Sequence, residues 1–155
     1  MNQIYKIIFA ITAVLASMCF IVLAGHIYAN LYLGVTEIDV DINYFRLELT
    51  YNQLTMPLAL ITVLIPWVIA AMYYYVVDSV HLDRWWHWGV IMIVTGLLTG
   101  VSSWQYLLSH IEPLYSTHII SLSGWNALWG ACVFILASFG IRWWSTNCRH
   151  TPIPQ

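Results

Sequence analysis

The stretch from Ile7 to Tyr28, IIFAITAVLASMCFIVLAGHIY, decides the fold class. It carries no charged residue, and it is as long as the run of about 20 apolar residues with which an α-helix crosses roughly 30 Å of hydrocarbon. Similar runs recur at about 56–77, 86–108 and 124–144, and the only charge within any of these bounds is Arg142, close to the end of the fourth. The first run exceeds the roughly 7–15 apolar residues of a secretory leader, and no clear small-x-small cleavage site follows it, so it reads as an uncleaved anchor.

Composition agrees. Of 155 residues, 61% are hydrophobic and only 8% charged, and the mean hydropathy is +0.74. A water-facing domain carries about 25% charged residues, so too few are present here to cover a soluble surface. Disorder is excluded by the same numbers, because it needs low hydrophobicity and high net charge. Five Lys and Arg stand against seven Asp and Glu, so there is no basic field for a nucleic acid. The expectation is an all-α integral membrane protein, a single membrane domain over residues 1–155 built as a four-helix bundle.

Charge placement orients the bundle. The N-terminal tail, the 78–85 link and the C-terminal tail hold Lys6, Arg84, Arg142 and Arg149 with Asp78 and Asp83. The other two links hold Glu37, Asp39, Asp41, Glu48 and Glu112 against Arg46. Basic residues are retained on the cytoplasmic side, which puts both termini there. Trp85, Trp86, Trp88, Trp143 and Trp144 would mark the inner interface, and Tyr28, Tyr32, Trp104, Tyr106 and Tyr115 the outer one.

The outer loops are expected at about 29–55 and 109–123. In the first, Ile38, Val40 and Ile42 alternate with Asp39, Asp41 and Asn43, and Leu47 and Leu49 alternate with Arg46, Glu48 and Thr50. Period-two alternation predicts a short β-hairpin turning near Asn43 to Phe45, with Ile38, Val40, Ile42, Leu47 and Leu49 on one face as candidates for partner contact. An isolated hairpin is marginal, so that face should lean on the bundle, the bilayer surface or another protein. In the second loop, the hydroxyls of Ser121 and Ser123 are placed to cap the fourth span. Pro57 falls in the first turn of the second span, where a missing N–H is harmless, whereas Pro66 falls in its middle and should kink it.

The third span carries Gly96-Leu97-Leu98-Thr99-Gly100, with Gly89 and Ser103 near the same face. Small residues at this spacing let two helices approach closely in a solvent that gives no hydrophobic drive to association. The partner is a helix of the same bundle, a second copy or another subunit.

Chemistry-bearing patterns are sparse. Mid-span polarity is confined to neutral groups such as Thr12, Ser17, Thr62, Thr95, Thr99, Asn126 and Ser138, whereas proton-coupled transport usually uses an ionisable group there. Cys19, Cys132 and Cys148 form no CxxC pair. His26, His110 and His118 flank the outer ends of three spans and would converge if the bundle closes, with Glu112 or Asp41 as an oxygen donor. Three imidazoles suit a transition metal or haem iron, but no tight ligand spacing accompanies them. No cofactor is the main expectation, and a haem or transition metal the alternative. Asp83 and His87, four residues apart near the inner interface, form a weaker acid–base pair. The combined expectation is a small non-enzymatic protein in a bacterial inner membrane, acting through helix–helix and outer-loop contacts as a homo-oligomer or accessory subunit, with the lipid bilayer and other membrane subunits or copies of itself as its partners. A metal-binding redox subunit is the competing class.

Overall fold

A computed structural model describes residues 3–33, 43–77, 85–110 and 116–145 of the chain. Four long helices account for nearly all of them: α1 (Gln3–Leu33), α2 (Asn43–Ala71), α3 (Trp85–Leu108) and α4 (Ser116–Ile141). A π-helical segment, Met72–Val77, continues α2, and a short 3₁₀ turn, Arg142–Trp144, continues α4. Each of the four carries a stretch long and apolar enough to cross a membrane. By length and composition this is a membrane protein, and helices are what hydrocarbon demands, since each backbone N–H and C=O must find its partner within the segment.

Packing is asymmetric. Helix α4 touches the other three and α3 most extensively, and α2 also meets all of its neighbours, whereas α1 and α3 scarcely meet. Helices α2 and α4 therefore form the middle, with α1 and α3 on its flanks. Near the end bearing the chain termini, Ala70, Tyr73, Tyr74, Trp88, Phe134 and Ala137 form one buried cluster. Toward the opposite end, Phe20, Tyr28, Leu58, Leu107, Ile119 and Leu122 belong to a second. Large apolar side chains also cover the outside, Val22 and Val76 among them at 80% and 74% exposure, which suits a surface solvated by lipid tails.

The structure corrects the reading of the first outer loop. Residues 43–50, including Leu47 and Leu49, are helical, so the second arm of the hairpin does not form, and there is no strand among the described residues. Alternation over five residues is a weak signal. A helix already nucleated in the membrane gains one hydrogen bond for each residue it adds, which favours extension of α2 back to Asn43. Ile38, Val40 and Ile42 lie outside the described residues.

Helical structure also runs past the apolar spans: α1 continues to Leu33 and α4 already begins at Ser116. Ser123 is thus no cap. It sits within α4 and its hydroxyl donates to the Ile119 carbonyl at 2.7 Å. Pro57 likewise lies inside α2 rather than in its first turn. Pro66 is fully buried and leaves the Thr62 carbonyl without a helical donor, and the chain passes into the wider π-helical turn soon after.

Candidate functional site

Polar side chains in the interior form clasps between helices. On α2, the Trp67 indole N–H donates to Ser17 Oγ of α1 at 3.0 Å, and Ser17 donates to the Ala13 carbonyl. On α3, the Trp88 indole donates to Ser138 Oγ of α4 at 3.2 Å. The Tyr75 hydroxyl donates to the Ile141 carbonyl at 2.9 Å, fastening the π-helical segment to the end of α4.

The deepest clasp joins three helices. Tyr28 on α1 donates its hydroxyl to Asn126 Oδ1 on α4 at 2.7 Å, and Thr62 Oγ1 on α2 lies 3.3 Å from the same oxygen. Thr62 has one hydroxyl proton, and the Leu58 carbonyl at 2.7 Å is its shortest acceptor. Tyr28, Thr62 and Asn126 are fully buried. In a low dielectric such bonds fix helix register, because a slipped helix would strand polar groups in apolar surroundings. Asn126 Nδ2 has no hydrogen-bond partner. The lone amide inside the fourth apolar run is the only sequence signal for this node; its partners, a tyrosine and a threonine on other spans, have no motif spacing.

The glycines of α3 face α4. A Cβ built on Gly96 would lie 2.8 Å from the Ala127 carbonyl oxygen, and one on Gly100 would lie 2.9 Å from Ala127 Cβ. From the α4 side, a Cβ on Gly130 would come within 2.6 Å of Thr99 Oγ1. Ser103 is fully buried, whereas Gly89 has nothing within 4 Å of its would-be Cβ. The close approach made by Gly96 and Gly100 is therefore used within the chain.

Outside this seam, a groove of about 250 Å³ runs between α3 and α4. Gly100, Ser123, Gly124 and Ala127 contribute small side chains to it, and Leu97, Val101, Trp104 and Ile120 contribute large ones. Gly124, like Gly89, has open space where a Cβ would stand.

The three outer histidines are described unequally. His26 is exposed on α1. His110 is exposed just beyond α3, with Nδ1 at 2.8 Å from both the Tyr106 carbonyl oxygen and Ser109 Oγ. A carbonyl only accepts, so this contact calls for the proton on Nδ1. The side chain of His118 and the whole of Glu112 and Asp41 lie outside the described residues, within which no three His, Cys, Asp or Glu side chains are grouped to hold a metal. Asp83 is also outside them; its proposed partner His87 lies against Trp86, with ring centroids 3.5 Å apart and the planes tilted by 42°.

At the foot of the bundle, Arg142 is 3% exposed and its guanidinium carbon lies 4.0 Å from the Trp143 ring. Cation–π contact with a tryptophan face suits a cation folded back at the end of a span. Compared with models of protein families, with curated proteins and with solved structures, the chain matches none.

Proposed function

We propose that this is a small non-enzymatic membrane protein that works through helix contacts in the plane of the bilayer, as a homo-oligomer or as an accessory subunit of a larger membrane complex. The observation that carries the reading is the groove between α3 and α4. It opens outward on two apolar helices, and at the exposed Gly124 no side chain holds another helix away. The acidic residues Glu37, Asp39, Asp41 and Glu48 would add charge to the contact on the outer side. Four of the five basic residues favour cytoplasmic termini, and outer links without cysteine fit a bacterial inner membrane. Tags at residue 155 and near residue 38 check this topology, and protection of both from the same side would overturn it.

The test of the groove is Gly124→Leu. Gly124 is exposed and a Cβ there meets no atom within 4 Å, so the fold should survive while the contact is lost. In native mass spectrometry from mild detergent, the wild type should run as a complex, Gly124→Leu as a monomer, and the control Gly89→Leu as the wild type. Differently tagged copies that co-purify identify a homo-oligomer; a different protein in stoichiometric amount identifies a subunit. A monomeric wild type, or a Gly124→Leu variant that keeps the complex, would refute the reading.

A further inference from the structure

We propose that one buried water molecule is a structural component of the α3–α4 seam, held between Asn126 Nδ2 and Ser103 Oγ. Five interior hydroxyls share a pattern that Ser103 does not follow. Ser17, Thr62, Thr95, Thr99 and Ser123 each donate to the carbonyl four residues earlier, at 2.7 to 2.9 Å. Ser103 is also fully buried and lies one turn beyond Thr99, yet its Oγ has no hydrogen-bond partner.

The packing register shows what it faces. Thr99 sits against Gly130 across the antiparallel seam. One turn forward on α3 is Ser103, and one turn back on α4 is Asn126, so the two occupy the same level of the bundle. Asn126 Nδ2 is likewise without a hydrogen-bond partner, on a residue equally buried. The two groups make no hydrogen bond to each other. A donor and a hydroxyl, both buried without partners at one level of the same seam, are the kind of polar pair that retains a buried water. The water accepts a hydrogen bond from Asn126 Nδ2 and donates one to Ser103 Oγ. The node of Tyr28, Thr62 and Asn126 then extends to α3, and all four helices meet in one hydrogen-bonded network.

The experiment uses the full chain in phospholipid nanodiscs, with asparagine side-chain amides ¹⁵N-labelled. Magnetisation transfer from water should reach the Asn126 amide protons in the wild type and in the control Ser123→Ala, and should be lost or strongly reduced in Ser103→Ala. In a double-mutant cycle of Ser103→Ala with Asn126→Leu, the unfolding equilibrium should show coupling of about threefold. Should Asn126→Leu fail to fold, the labelled Ser103→Ala measurement decides alone. Absence of a water signal at the Asn126 amide in the wild type, or a direct amide contact with Ser103 in its place, would overturn the proposal.

Discussion

Gly96→Ala is the most direct probe of the seam that organises this bundle. The new methyl carbon would lie 2.8 Å from the Ala127 carbonyl oxygen, which is backbone and cannot rotate away. Ordinary contact requires α3 and α4 to separate by about 0.5 Å, and a gap of that size forfeits about a quarter to a half of the dispersion energy of the atoms concerned. Overpacking of this kind costs about 1–3 kcal/mol. Against it stands the gain of about 0.5–1 kcal/mol when alanine replaces a glycine within a helix. Gly89→Ala receives the gain without the cost, because nothing lies within 4 Å of its would-be Cβ. The two variants, both on α3, should therefore differ by about 1–3 kcal/mol, with Gly89→Ala the more stable. Reversible unfolding in mixed micelles, titrated with a denaturing detergent, measures that difference. Equal stabilities of the two variants would refute the placement of Gly96 against α4.

Two further outcomes follow from named contacts. Tyr28→Phe removes the donor to Asn126 Oδ1 while keeping the ring, and should lower stability by about 1 kcal/mol in the same titration; a neutral result would remove the polar node from the stabilising contacts. Spin labels scanned through residues 43–52 should report accessibility with a period of about 3.6 residues, whereas a period of two would restore a strand to this segment.

Asn126 shows how far the amino-acid order alone reaches toward the candidate site. As an amide in an apolar run it is visibly out of place, so that it must find partners is legible; which partners is not. Tyr28 and Thr62 lie on helices α1 and α2, and only the rotation and height of each helix bring their oxygens to within hydrogen-bond distance. The groove was hidden for the same reason, since it arises from surfaces of two helices that meet only on packing. The loop alternation at Leu47 and Leu49 misled because a period read over five residues carries less weight than the cooperative extension of a helix already formed.

What the amino-acid order determined by itself is the number and type of the long elements. Four apolar runs, each able to span hydrocarbon, admit little besides helices, because an unpaired backbone group has no water to turn to. What only the tertiary structure decided is which faces meet. Gly96 and Gly100 could have served a second copy as readily as the same chain, since small residues permit close approach without choosing a partner. The fit of both against Ala127 made that choice, and it left Gly124 open beside the groove.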